Sequence, residues 1–193
     1  MDELFYREAL AIMIIAFFLI RAPSVLSAAK TEKTEEKKPI RERVLVFLNL
    51  IGMMVLPILY ILTTWLDSFS FPIPEVFRLL GIAFNVIGLI LLIWVHRTLG
   101  KHWSMMLNLG EEHKLITSGP YSRVRHPMYT FFFIMSISTA LISANAFVGV
   151  FGIAAWTVLY IVRIGDEEAM MVEQFGEEYQ EYMKRTGRLL PKV

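Results

Sequence analysis

"SGPYSRVRHPMYTFFF", residues 118–133, changes character in its middle. The first half carries a glycine, two prolines, two arginines and a histidine, and the end runs into a block of phenylalanines suited to lipid. Gly119-Pro120 punctuates the backbone, while Pro127 pushes His126 out of the helical region and starts a helix at its first turn. A helix beginning there offers unpaired N–H groups and a positive dipole end to an anion, such as a cofactor carboxylate or a phosphate. A plain loop-to-helix junction has the same signature. The stretch is read as the lip of a polar site where a loop enters a membrane.

The rest of the chain supports the membrane. Of its 193 residues 55% are hydrophobic and only 19% charged, and its mean hydropathy is +0.52, which is too apolar for an ordinary soluble domain. A net charge of +1 gives no bulk field for nucleic acid, so none is expected as a partner. With no cysteine, a disulfide framework, a thiolate zinc site, an iron–sulfur cluster and a cysteine nucleophile are excluded.

A membrane helix needs about 20 largely apolar residues. Three runs supply them, Leu4 to Leu26, Val44 to Leu66 and Phe77 to Val95. A fourth region, Tyr129 to Val162, holds two shorter spans if it folds back at Ser143 to Asn145, whose small polar residues suit a tight turn. The fold class predicted is all-α, an integral membrane protein of about five transmembrane helices, with a C-terminal amphipathic helix and a cytoplasmic cofactor-binding loop. The first helix is not read as a cleavable signal, because its apolar run is long and its N-terminus acidic. No internal repeat stands out, so one domain is expected over 1–193, with a helical pair over 1–75 and a catalytic part over 76–193.

Basic residues set the orientation. They collect in the first loop (Lys30, Lys33, Lys37, Lys38, Arg41, Arg43), the third (Arg97, Lys101, Lys114, Arg123, Arg125) and the tail (Lys184, Arg185, Arg188, Lys192), and are missing from the second loop and from Ser143 to Asn145. The localisation expected is the cell membrane, with the N-terminus outside and the site and C-terminus cytoplasmic. Residues 30–39, a mixed-charge linker, are read as a solvated turn.

Polar residues concentrate on that side, in His96 to Tyr129 and Arg163 to Pro191. All four histidines, His96, His102, His113 and His126, lie in the first of these, but at intervals that match no zinc pattern and with no HExxH, so no metal is expected. In the second segment Arg163 and Glu167 share a helical face, with Glu168 one position round. Ionisable groups at the end of a membrane helix are functional candidates, although a snorkelling arginine and a surface ion pair would look alike. Met171, Phe175, Tyr179 and Tyr182 recur every three or four residues, with Glu173, Glu177 and Glu181 elsewhere on the wheel. That pattern is an amphipathic helix lying on the bilayer or on the third loop.

Two strings, "HKLITSGPYSRVRHPMY" (residues 113–129) and "RIGDEEAMMVEQFGEEYQEYMKRTGRLLP" (residues 163–191), closely resemble the isoprenylcysteine carboxyl methyltransferase family of membrane enzymes, in the manner of a compact prokaryotic member. The resemblance covers roughly His96 to Pro191 and rests on the pairing of GPYxxxRHPxY with EExxxxxxFGxEYxxY. One departure is Phe131, where relatives often carry glycine, which bears on helix packing beside the site. The resemblance implies S-adenosyl-L-methionine as methyl donor, with S-adenosyl-L-homocysteine as product. It implies that His113, Lys114, Leu115, Ile116, Tyr121, His126, Pro127, Met128, Tyr129 and Glu167 hold that cofactor, and that Arg163 handles the acceptor. Arg163 and Glu167 are the catalytic candidates, and an amphiphilic or prenylated small molecule in the bilayer is the expected acceptor.

Methyl transfer from a sulfonium to a carboxylate needs no general base, since the carboxylate is already ionised at neutral pH. Positioning and exclusion of water are then the protein's contribution. Two other enzyme readings are a phospholipid N-methyltransferase, whose amine acceptor would have to lose a proton, and an NADPH-dependent membrane reductase. A non-enzymatic scaffold or transporter is disfavoured by the scarcity of mid-membrane polar residues, Asn85 and Asn49.

Overall fold

The computed structural model describes residues 1–31, 40–100 and 115–192. Its helices are α1 (Glu3–Thr31), α2 (Ile40–Leu50), α3 (Leu56–Leu62), α4 (Glu75–Leu99), α5 (Pro127–Ser143) and α6 (Ala146–Arg185). A π-helical turn, Ile51–Val55, joins α2 to α3 in one apolar run. Four segments, Glu3–Leu26, Ile40–Leu62, Glu75–Leu99 and Ala146–Arg185, are long and apolar enough to cross a membrane, and α5 is a shorter apolar helix. The second run therefore lies earlier than Val44 to Leu66: it starts at Ile40 and stops at Thr63, whose backbone is extended.

Large apolar side chains such as Ile12, Leu19, Phe47, Ile87, Ile90, Val150 and Ile161 point outward. In water such a surface would aggregate, whereas lipid tails match it. Because lipid is as apolar as leucine, the helices are held by close packing and by hydrogen bonds rather than by a hydrophobic drive. At the π-helical turn Gly52 lies against α6, where a β-carbon would stand 3.0 Å from Ala155 Cβ and 3.1 Å from the Phe151 carbonyl oxygen. Asn85, fully buried on α4, donates to Ser138 Oγ on α5 at 2.9 Å.

The fold-back at Ser143 to Asn145 is present. Ala144 takes the left-handed conformation that ends α5, and Asn145 Oδ1 accepts from Val148 N at the start of α6. The other edge of that side chain donates to the Leu66 carbonyl at 2.7 Å, tying the hairpin to the connection between α3 and α4. At this same end Arg78 holds Glu3 and the Ile142 carbonyl, Tyr60 reaches Glu3, Arg7 reaches Asp67, and the N-terminal amine reaches Glu75 at 2.7 Å. The opposite end gathers the start of α2, the end of α4, the start of α5 and the tail, which are the regions rich in lysine and arginine.

The C-terminal amphipathic segment is a direct continuation of α6, broken once at Gly176, where φ is +54°. Only glycine adopts that conformation without strain. Past the break Tyr179 and Tyr182 are buried while Glu177 and Glu181 are exposed. Tyr182 donates to the Tyr121 carbonyl at 2.6 Å, so the aromatic stripe faces the third loop.

Gly52→Val should cost about 1–3 kcal/mol by overpacking against the backbone of α6, read as a lower thermal midpoint in detergent. An unchanged midpoint would show that this helix crossing yields freely.

Candidate functional site

The site is built at the basic end, where α5 starts and α6 leaves the apolar part of the bundle. His126 has φ −124° and ψ +60°, outside the helical region, and α5 starts at Pro127, as a residue before proline requires. Gly119, with φ +59°, packs on Thr98 and Trp94 at the end of α4 and opens a short 3-10 turn, Gly119–Ser122. Val124 then pairs with Gly187 of the tail in an isolated parallel bridge. Arg125 N donates to the Gly187 carbonyl at 2.8 Å, Gly187 N to the Arg123 carbonyl at 3.1 Å, and His126 N to the Arg188 carbonyl at 3.1 Å. Thr130 Oγ1 reaches the Leu189 carbonyl at 2.7 Å. The tail thus runs alongside the loop as a strap.

This strap uses part of the helix N-terminus. The amide of His126 goes to the tail, and those of Tyr129 and Thr130 go to the His126 carbonyl at 2.9 and 3.2 Å. The start of α5 therefore has fewer open donors for an anion than its proline leads one to expect.

Beneath the strap lie two adjacent carboxylates with different partners. Glu168, only 5% exposed, receives Arg125 Nε at 3.1 Å and Arg188 through Nε at 3.0 Å and Nη2 at 2.6 Å. Arg125 also donates to the carbonyls of Met183 and Thr186. Glu167 accepts from Tyr129 Oη at 2.6 Å and pairs with Arg163 Nη2 at 3.2 Å. His126 stands between the two, its Nδ1 3.7 Å from Glu167 and its Nε2 3.5 Å from Glu168. Glu168 is the structural carboxylate, with its lone pairs taken. Glu167 is the less saturated one and lies on the face of α6 that looks toward Tyr129.

Arg163 is largely buried and uses one nitrogen, Nη2, for Glu167 at 3.2 Å and for Glu42 of α2 at 3.8 Å. Its Nε is buried with no hydrogen-bond partner among the described residues. A planar guanidinium with an open, desolvated donor is suited to take a carboxylate oxygen. From this point an aromatic wall descends into the bundle. Tyr129 meets Tyr160 edge-on at 5.4 Å, Tyr160 stacks on Trp156 at 5.4 Å, and Trp156 packs on Phe133 at 4.9 Å. Phe131 is fully buried and stacks on Phe17 of α1 at 5.8 Å, so the larger side chain fills a helix contact beside the site.

Of the residues singled out in the sequence, His126, Tyr129, Arg163 and Glu167 come together, with Pro127 and Met128 forming the start of α5 beneath them. Tyr121 lies beside them: burial pushes its phenol well above the usual range, and the fields of Tyr182 and Glu167 add to that. Leu115 and Ile116 are partly buried. His113 and Lys114, with His102, lie outside the described residues. Three participants were not singled out as site residues. Arg125 and Arg188 have the signature of orientation charges, although Arg125 is the arginine of the RHP string, and Glu42 has no local signal at all.

Residues 80–173 match the sequence model of the isoprenylcysteine carboxyl methyltransferase family. That stretch, just under half of the chain, resembles that family. Among its relatives, the protein-S-isoprenylcysteine O-methyltransferase of Dictyostelium discoideum is 30% identical over 135 residues, 67% of this chain and 56% of the relative. The human protein of the same name is 38% identical over 84 residues, 43% of this chain and 29% of the relative. The chain thus spans little more than half, or less, of the relatives it matches. A solved structure of the eukaryotic intramembrane Ras methyltransferase ICMT superposes with a TM-score of 0.60 at 19% identity, over 97% of this chain and 68% of that one. The fold is accordingly that of an integral membrane family member.

Removing the shared acid separates structure from chemistry here. Glu168→Ala leaves Arg125 buried without its counter-charge and should cost about 3–5 kcal/mol of stability. Glu181→Ala, at the exposed pair with Lys184, should cost no more than about 1 kcal/mol. Equal melting curves for the two variants would remove Glu168 from the strap.

Proposed function

We propose that this chain transfers a methyl group from S-adenosyl-L-methionine to a carboxylate of an amphiphilic, isoprenylcysteine-like acceptor. The reaction takes place at the cytoplasmic membrane face, which is the basic end of the bundle. The observation that carries the reading is the meeting of Tyr129, Arg163 and Glu167. The RHPxY string and the first glutamate of the EE string, distant in sequence, share one hydrogen bond of 2.6 Å at the head of an aromatic wall. The names of the relatives and the family match support it.

The residues present suit such a donor. Glu167 takes both Tyr129 and Arg163 on Oε1, which leaves Oε2, 3.7 Å from His126 Nδ1, for a ligand ammonium. The unpartnered Nε of Arg163 is a donor for a carboxylate oxygen. Leu115, Ile116, Tyr121, Pro127 and Met128, together with His113 and Lys114, are assigned to the same cofactor. When bound, that donor supplies a sulfonium methyl, whose S–C bond breaks with its electron pair kept on sulfur as the acceptor oxygen forms the new O–C bond.

No proton has to move, so the protein's task is geometric. Arg163 orients the acceptor carboxylate through its open edge, while Glu167 and Glu42 hold the guanidinium from the other side. The aromatic wall receives an apolar tail from the bilayer and keeps water away, which strengthens each charged contact. Holding both reactants in line can contribute up to roughly 7–11 kcal/mol to lowering the barrier.

The test is transfer of labelled methyl to a prenylated cysteine with a free carboxylate, scored against an amine lipid. Arg163→Lys keeps the charge but loses the fork. Turnover should drop at least about ten-fold while adenosylhomocysteine affinity stays within about two-fold. Near-normal turnover would sink the acceptor assignment. Glu167→Ala should weaken cofactor binding by more than the roughly 0–1 kcal/mol of an exposed pair. Calorimetry showing unchanged affinity would take Glu167 out of the cofactor site.

A further inference from the structure

A concavity opens at the same end, between the loop before α5 and the tail. It is a half-open hollow of about 230 Å³ lined by Ser122, Arg123, Arg185, Pro191 and Lys192. That is below the roughly 300–1,000 Å³ of a pocket that buries a drug-sized ligand, and suits a compact head group. Three of its five lining residues are cations and none is an acid. Of the carboxylates nearby in sequence, Glu181 pairs with Lys184 at 2.6 Å and Glu168 with Arg125 and Arg188.

Among the described residues neither Arg123 nor Arg185 has an ion-pair partner. Two of the cations are nonetheless held in place: the Arg185 guanidinium lies over the Tyr182 ring at 5.8 Å, and Lys192 Nζ donates to the Lys184 carbonyl at 2.9 Å. Like charges facing one concavity repel, and an anion between them relieves the repulsion.

The height of this concavity indicates which anion. The 3-10 turn that carries Ser122 packs on the last turns of α4, beside Trp94, whose ring is half exposed as in the aromatic belt of a membrane interface. Leu190, 70% exposed, stands next to Pro191 of the lining. A cationic hollow with an apolar rim at that depth faces lipid head groups rather than bulk water.

We propose that this concavity binds the phosphate of an anionic membrane lipid, with Arg123 and Arg185 as fork-shaped partners and Lys192 as a point charge. Because Arg123 belongs to the loop and the other two to the end of α6 and the tail, a phosphate there joins the same segments that the strap joins. The lipid is therefore a second fastener of the loop over the site.

The test uses the full chain in neutral detergent, titrated with short-chain phosphatidylglycerol, phosphatidylcholine or inorganic phosphate and followed by thermal midpoint. Phosphatidylglycerol should raise the midpoint, and the other two should not. Arg123→Gln combined with Arg185→Gln should weaken the phosphatidylglycerol response by roughly thirty-fold in apparent affinity. Arg41→Gln combined with Arg43→Gln removes equal charge from the same end and should weaken it less than about three-fold. Should the first pair lower the lipid-free midpoint, Lys192→Gln alone replaces it, with a loss of roughly five-fold expected. No response to phosphatidylglycerol, or an equal loss in the Arg41 and Arg43 pair, would overturn the site. Stabilisation by inorganic phosphate in place of the lipid would overturn the lipid assignment.

Discussion

The arrangement at the basic end depends on one buried carboxylate. Glu168 takes arginines from two directions, Arg125 from the loop before α5 and Arg188 from the tail. Burial of an ion is expensive, and it is tolerated here because nearly every lone pair is occupied and Arg125 is itself satisfied by carbonyls of Met183 and Thr186. With Glu168 engaged in this way, Glu167 one residue earlier points to Tyr129 and Arg163. The division of labour between two neighbouring acids follows from the 100° step of a helix: one faces the strap and the other the head of the aromatic wall.

The membrane imposes the rest. Within lipid every backbone group must be satisfied inside its own helix, so among the described residues irregular chain is confined to the two ends. One end is locked by Arg78, Glu3, Tyr60 and Asn145. The other is left open enough to hold a loop, a strap and unpartnered donors. Close contact of Gly52 with α6 draws α2 to the same helix that carries Arg163, and this is how Glu42, at the start of that run, comes within 3.8 Å of it.

What could be read from the sequence follows the range of each signal. Apolar runs, the turn at Ser143 to Asn145 and the helix start at Pro127 are local, and they are where they were expected to within a few residues. The pairing of Arg163 with Glu167 is a one-turn relation and was equally readable. The strap was not: Arg125 and Arg188 look like any basic residues flanking a membrane helix, and only the folded chain shows that they converge on Glu168. Periodicity announced the stripe of Tyr179 and Tyr182 but not its partner, since a stripe facing lipid and one facing a loop have the same spacing. Gly176 sits inside a helical pattern without any break in it, so the kink had no signal beyond the residue itself. Glu42 lies far from Arg163 along the chain and in a charged surrounding, where no pattern distinguishes it.

The unbroken stretch of α6 from Ala146 to Gly176 is a rod about 45 Å long at 1.5 Å per residue, longer than the roughly 30 Å of hydrocarbon it crosses. Trp156, Tyr160, Arg163 and Glu167 are fixed marks on that rod. The bundle thereby works as a gauge of depth. In a thinner bilayer the rod must tilt, and the arginine and glutamate shift together relative to the head groups, carrying the aromatic wall with them. Insertion or loss of a single residue between Trp156 and Arg163 would turn the charged face by about 100° away from Tyr129. Within this helix, length and facing are therefore fixed together.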